Sequence, residues 1–210
     1  MKPNFNIIAP LYDQLSFLVF GNNLIKAKKQ FLHFIPRKGH LLIMGGGTGN
    51  VLNYLLKHHE ELKIDFIDSS SKMVSLSRTK IEAAFTNRVH FICGSHKDVP
   101  LVNYDAITMF FVLDCMKQQE GMEFATSLFS HLKDDGLFLF ADFFHTPSIS
   151  QRILIWLMYR FFQVVAGITA FNLPAYEQIF QQLQLIEIEK KIFLNGFIQS
   201  GVYKKSTFTR

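Results

Sequence analysis

A chain of 210 residues with formal net charge +5, 49% hydrophobic and 19% charged, describes one globular domain on the apolar side. Its lysines and arginines are scattered rather than gathered into a stripe, which argues against a nucleic-acid partner. Two cysteines, Cys93 and Cys115, lack a C-x-x-C pattern and a set of metal ligands. They suggest core thiols of a reduced, cytoplasmic protein, and Met1–Asn6 lacks the charged-then-apolar layout of a secretory leader.

In chain order, residues 5–35 read as one or two helices ahead of a sheet. Pro36-Arg37-Lys38-Gly39 marks a turn, and Leu41-Leu42-Ile43-Met44 a short strand buried on both faces. Gly45-Gly46-Gly47-Thr48-Gly49 follows, and a helical pattern runs from about Thr48 to His58. Alternate glycines permit positive φ and the close approach of a ligand. The free N–H groups opening the next helix favour a polar or anionic group. The dinucleotide pattern G-x-G-x-x-G fails in every frame, and no G-x-x-x-x-G-K-[ST] is present, so nicotinamide and P-loop readings are disfavoured. A tight turn without a ligand is the alternative.

A second strand, Ile64–Ile67, ends at Asp68. A carboxylate at that end of a doubly wound sheet is suited to accept ribose hydroxyl protons. It is equally suited to cap the next helix, as are Ser69, Ser70 and Ser71. That helix should run to about Ala84, followed by strands Val89–Cys93 and one ending near Phe110. A helix over Gln119–His131, a turn at Leu132–Gly136 and a strand at Leu137–Asp142 come next. Residues 153–166 are too short, and with Arg160 and Gln163 too polar, to span a membrane. They read as a core helix, a pocket cap or a peripheral lipid-contact surface. After Pro174, a helix over Ala175–Gln184 leads to strands Leu185–Phe193 and Phe197–Lys205, joined by a hairpin turn at Asn195-Gly196. Most of the 23 phenylalanines must be core, but the pairs 110–111, 143–144 and 161–162 are placed to line an apolar pocket.

Several of these stretches resemble the motifs of the class I S-adenosylmethionine (SAM)-dependent methyltransferases. They are G-x-G-x-G after the first strand, Asp68-x-Ser70-x-x-Met73, Gly94-Ser95-His96-Lys97-Asp98-Val99-Pro100, Tyr104-Asp105 with its apolar run, and Leu132-Lys133-Asp134-Asp135-Gly136. Ile8-Ala9-Pro10-Leu11-Tyr12-Asp13 is similar to the segment that folds over the cofactor in small-molecule members, including the ubiquinone and menaquinone C-methyltransferases. The resemblance implies an α/β, Rossmann-like, doubly wound seven-stranded sheet with a C-terminal antiparallel hairpin. It also implies a single SAM-binding domain over 1–210, with 1–35 a helical lid and 145–183 a substrate-side helical insertion.

The cofactor would then contact Gly45, Gly46, Gly47, Thr48, Gly49, Asp68, Ser69, Met73, Ser95, His96 and Phe110, with Tyr12 closing over it. Tyr12 packing a first helix onto the sheet edge is the alternative. The reaction implied is in-line SN2 methyl transfer to a small apolar or aromatic acceptor, leaving S-adenosylhomocysteine. His145 and Asp114 are the candidate proton acceptors, and Phe111, Phe144 and Trp156 the candidate pocket. The remaining histidines assemble no metal site. Two positions depart from the family pattern: Ile43 stands where an acidic residue is usual, and Ser95 where an adenine-binding Asp is usual. Both losses open a second reading, a methyltransferase fold that binds a ligand or partner without catalysing transfer.

Overall fold

In a computed structural model, residues 3–205 are described; Met1, Lys2 and 206–210, and with them the outer bounds of the 1–210 domain, lie outside the described residues. Seven strands form one sheet in the order β3-β2-β1-β4-β5-β7-β6. They are β1 (Lys38–Met44), β2 (Glu61–Asp68), β3 (Val89–Cys93), β4 (Tyr104–Phe110), β5 (Leu132–Phe143), β6 (Leu185–Phe193) and β7 (Ile198–Lys205). The first five run parallel, and β7 lies antiparallel between β5 and β6. The helices are α1 (Tyr12–Phe20), α2 (Asn23–Lys29), α3 (Leu52–His58), α4 (Ser71–Lys80), α5 (Gln118–Phe129), α6 (Ile149–Val165) and α7 (Tyr176–Gln182). This is the sheet and terminal hairpin expected from the sequence.

The period of two along β1 explains its place at the centre. Leu41 and Ile43 enter one core with α2, α3 and α6; Leu42 and Met44 enter the other with α5 and α7. From β1 the chain winds outward to β2 and β3, then crosses back to β4 on the other side. The carboxyl ends of β1 and β4 therefore flank a topological switch point, where ligands of open α/β sheets bind.

Four local expectations need correction. Helix α3 begins at Leu52, because residues 48–51 stay in the turn that presents the glycine loop. Helix α4 ends at Lys80, and Ala83–Arg88 is a 3-10 turn. Residues 132–136 are part of β5 rather than a separate turn: Leu132 pairs with Tyr104 and Leu137 with Ala106, so 133–136 bulge opposite Asp105 alone. The Asp105 carboxylate holds that bulge by accepting from Lys133 Nζ at 2.5 Å and from the His40 N–H at 2.8 Å. Finally, Cys93 is exposed at the end of the edge strand β3, not in the core; Cys115 is half-buried. Among the described residues no helix is long and apolar enough to cross a membrane, and no cluster of three or more His, Cys, Asp or Glu is placed to hold a metal.

Candidate functional site

The loop after β1 is built around two distinct uses of glycine. A Cβ on Gly46 would stand 2.1 Å from the Phe66 ring, so only glycine lets the loop settle on β2. Gly47 has φ +58° and nothing within 4 Å of where its Cβ would point, so it faces open space at the sheet edge. Gly45 and Gly46 donate to the Ile67 carbonyl at 2.8 and 3.2 Å, locking the loop against the end of β2.

Asp68 sits there with 9% of its surface exposed. Its Oδ2 accepts from the Gly47 N–H and its Oδ1 from the Ser70 N–H, both at 2.8 Å. Each carboxylate oxygen keeps a second lone pair for a ligand hydroxyl. The cap of α4 is Ser70, whose Oγ accepts from the Met73 N–H at 3.1 Å, so Asp68 is not needed for that task. Burial pushes the Asp68 carboxyl up, while the two N–H groups and Lys28 act to keep it ionised.

The N-terminal segment is fastened over this loop by Asp13, which the sequence reading passed over in favour of its neighbour Tyr12. Asp13 accepts from Thr48 Oγ1 at 2.8 and 2.9 Å, from Asn50 Nδ2 at 3.0 Å and from Lys80 Nζ at 2.8 Å. Burial would raise its carboxyl, but Lys80, Thr48 and Asn50 together hold it below the usual range. Asn6 adds a second tie, its side-chain oxygen accepting from Ser70 Oγ at 2.7 Å and the Lys72 N–H at 3.1 Å. The Asn4 N–H reaches the Ala166 carbonyl beyond α6 at 2.7 Å. Tyr12 is half-buried between the two sides; burial, then Asp114, Cys115, Asp13 and Asp68, push its phenol well above the usual range.

On the far side of the loop, Met73 is buried and Ser69 exposed. Ser95 is engaged locally: its Oγ accepts from the Lys97 N–H at 3.3 Å, and Asp98 Oδ2 accepts from the Ser95 N–H at 2.8 Å, a capping box. His96 packs edge-on against Phe124 with ring centroids 4.8 Å apart. Its Nδ1 is buried without a hydrogen-bond partner among the described residues, and burial pulls its pKa down.

Strand β4 ends at Phe110 and hands the chain to Phe111, which holds φ +56°, a left-handed conformation that is costly for a bulky residue. The Phe111 N–H donates to Ala141 O at 2.7 Å, and its ring lies 5.1 Å from Phe143. Two small cavities flank this crossing. One is lined by Lys28, Ile43, Met44, Gly45, Gly46, Asn50, Val51 and Phe110. The other lies under α6 between Asp114, Cys115, Phe143, Ile155, Met158, Tyr159, Phe162, Ile168 and Leu173. Among the described residues Asp114 is the only carboxylate on that wall. Burial pushes its carboxyl up to about 6, and Asp114 Oδ1 has no hydrogen-bond partner among the described residues. Behind it, wholly buried Asp142 accepts from the Asp114 N–H at 3.3 Å; burial and then the Asp114 charge push Asp142 well above the carboxylate range. The two carboxyls interact, both pushed up by burial and Asp142 further by the Asp114 charge.

The other sequence candidates fall elsewhere. His145 is exposed past the end of β5 and lines neither cavity. Phe144 packs on Tyr176 and Phe140 in the core of the opposite face, with centroids 4.8 and 6.4 Å away. Trp156 is 57% exposed on the outer side of α6 beneath the Arg160 guanidinium. The residues of α6 that face inward are Ile155, Met158, Tyr159 and Phe162. The Tyr159 hydroxyl fixes the Asp114 backbone by donating to its carbonyl at 2.8 Å.

A glycine loop after β1, an acidic residue ending β2 and a 3-2-1-4-5-7-6 strand order give an α/β domain with a candidate ligand site at its switch point. Residues 42–138 match the family described as a methyltransferase domain. In fold, and over that central segment, the chain is similar to the class I SAM-dependent methyltransferases. It is 25% identical over 108 residues to a carboxy-S-adenosyl-L-methionine synthase of Campylobacter curvus, covering 51% of this chain and 46% of that protein. It is 32% identical over 114 residues to a demethylmenaquinone methyltransferase of Thermotoga maritima, again covering 51% and 46%. Human N-acetylserotonin methyltransferase, solved in complex with SAM, superposes with TM-score 0.66 at 15% identity, covering 95% of this chain and 56% of that one. The matches thus span about half the length of these curated relatives.

Proposed function

We propose that the protein transfers a methyl group from SAM to a small, largely apolar acceptor, with Asp114 taking the acceptor's proton. The observation that carries this reading is the apolar cavity under α6, whose single carboxylate lies at the sheet edge that also carries the glycine loop. Gly47, Asp68 and the Phe110 crossing fit the cofactor: an open backbone face, a buried acceptor for ribose hydroxyls, and an aromatic wall to the cavity beside the glycine loop. SAM supplies an activated methyl on a sulfonium, so the protein has only to position, desolvate and deprotonate.

The lining residues divide those tasks. Phe143, Ile155, Met158 and Phe162 exclude water and favour a ring or an alkylated ring over a charged acceptor. Asp114, ionised at neutral pH but with its carboxyl pushed up to about 6, is a competent acceptor for a phenol or hydroquinol proton. The Tyr159 bond to its backbone and the Asp142 contact behind it fix where the proton goes. The segment with Asn4, Asn6 and Asp13, tied to α6, α4 and the loop, acts as the lid. Incubation with methyl-labelled SAM and a panel of phenols, hydroquinols, amines and carboxylates tests the reading. Label in the phenol or hydroquinol products is the expected result; label only in charged acceptors would overturn the acceptor class.

A further inference from the structure

Two helices that enclose the proposed site turn apolar side chains outward. Helix α6 caps the acceptor cavity with Ile155, Met158, Tyr159 and Phe162, and only Tyr159 of its 17 residues is buried. Its other side carries Ile149, Ile153, Trp156 and Val164 at helical spacing, all exposed, Val164 at 85%. Helix α1, which Asp13 fastens over the glycine loop, buries only Phe20. Its Leu15, Phe17, Leu18 and Val19 are exposed, Leu18 at 80%. Both helices lie on one face of the sheet, since Phe20 and Tyr159 enter the same core. The chain ahead of α1 joins them: the Asn4 N–H reaches Ala166 O, and Phe5 packs on Phe162 with ring centroids 6.0 Å apart. Single exposed apolar side chains are ordinary, but eight on two helices of one face mark a contact surface.

Charge says what the surface meets. No Asp or Glu occurs between Asp13 and Glu60 or between Asp142 and Glu177, the stretches that hold α1, α2 and α6. They carry eight lysines and arginines against a net +5 for the chain, so the rest of the molecule is net acidic. Lys26 and Lys29 of α2 and Arg152 and Arg160 of α6 are exposed, and none has an ion-pair partner among the described residues. The Arg160 guanidinium lies 5.7 Å from the Trp156 ring centroid, a pairing suited to the boundary between headgroups and acyl chains. A second copy of the chain fits poorly. A two-fold interface would set these cations against their own copies, with no carboxylate in either stretch to answer them. We propose that this face docks on a bilayer surface with anionic headgroups, α1 and α6 seating their apolar sides at the acyl boundary without crossing it. An apolar acceptor dissolved in that bilayer then reaches the cavity from beneath α6. That consequence rests on the methyl-transfer reading, whereas the docking itself does not.

Co-sedimentation of the full chain with vesicles, without SAM, tests this directly. Vesicles of phosphatidylcholine with about 30% phosphatidylglycerol should carry the protein down. Phosphatidylcholine alone should bind it at least about 10-fold more weakly, since each exposed cation contributes about fivefold at an anionic surface. Leu18→Ser combined with Trp156→Ala should weaken binding about 10-fold or more by removing apolar surface. Arg152→Gln combined with Arg160→Gln should weaken it about 10- to 30-fold on the anionic vesicles and leave phosphatidylcholine binding unchanged. Both pairs are at exposed positions and should melt with the wild type; should the apolar pair not fold, the arginine pair still decides. Undiminished binding in both variants, equal binding to the two vesicle types, or none to either overturns the docking and leaves methyl transfer to a dissolved acceptor standing. Velocity sedimentation without lipid should show a wild-type monomer. A dimer that the apolar pair of substitutions dissociates would make this face an interface between copies and overturn the assignment as well.

Discussion

The two halves of the proposed site, for cofactor and for acceptor, are held by different physics. On the cofactor side, the loop, Asp68, Asp13 and Asn6 are joined by hydrogen bonds at 2.7–3.2 Å between residues close to recognisable sequence patterns. On the acceptor side, Phe143, Ile155, Met158 and Phe162 meet through packing, and the carboxylate beside them, Asp114, is pushed up by burial against the lowering effect of Cys115. Directional bonds fix a ligand's pose and tolerate little change. Apolar walls fix only size and polarity, and can be altered while the cofactor half stays intact.

That contrast can be broken at several points. The largest effect should come from Asp114→Asn. It should lower kcat about 10²- to 10⁴-fold by removing the proton acceptor, with S-adenosylhomocysteine affinity held within about twofold. The wild-type kcat/KM should rise with pH and level off above about 6, as Asp114 ionises, and the variant should lack that limb. An effect on cofactor binding as large as that on rate would show that the two halves are not separable.

A smaller effect is expected from Phe162→Ala, which opens the acceptor wall: KM for the acceptor should rise about 5- to 10-fold, with cofactor affinity unchanged. Trp156→Ala, on the outer side of the same helix, should leave KM unchanged and stability within about 0.5 kcal/mol. Asp13→Asn should cost about 1 kcal/mol in denaturant unfolding, a modest figure because 37% of that carboxylate side chain is open to water. Since folding depresses the Asp13 pKa, its contribution is present above the ordinary carboxylate range and lost as pH falls through it. The difference between Asp13→Asn and wild type should vanish in acid.

The same contrast governs what the sequence discloses. The sheet, the hairpin at Asn195-Gly196, the third and fourth strand ends and the glycine loop follow from periodicity and turn chemistry within a few residues of each other. Asp68 was legible because one strand end and one spacing place it. Asp13 was less so: an acid beside Tyr12 offers no sign of Thr48 or Lys80, which are 35 and 67 residues away. The acceptor wall was the least legible. Its members come from β5, α6 and the stretch at 168–173, and which side of α6 faces inward depends on how the helix is rolled onto the sheet. Of the pocket candidates, packing turned Trp156 to solvent and Phe144 to the opposite core, while Phe143 and Phe162 of the phenylalanine pairs do line the cavity, joined there by Met158. Asp142 was unforeseen because a buried acid inside an apolar strand leaves no pattern of its own.

Titration of the purified protein with S-adenosylhomocysteine, beside Asp68→Ala, bears most directly on the cofactor half. Micromolar binding in the wild type, weakened at least about 100-fold by Asp68→Ala, is expected from a buried carboxylate that holds both the Gly47 loop and the ribose. Wild-type binding left intact by Asp68→Ala, or no wild-type binding up to millimolar, would contradict a nucleoside site at the end of β2.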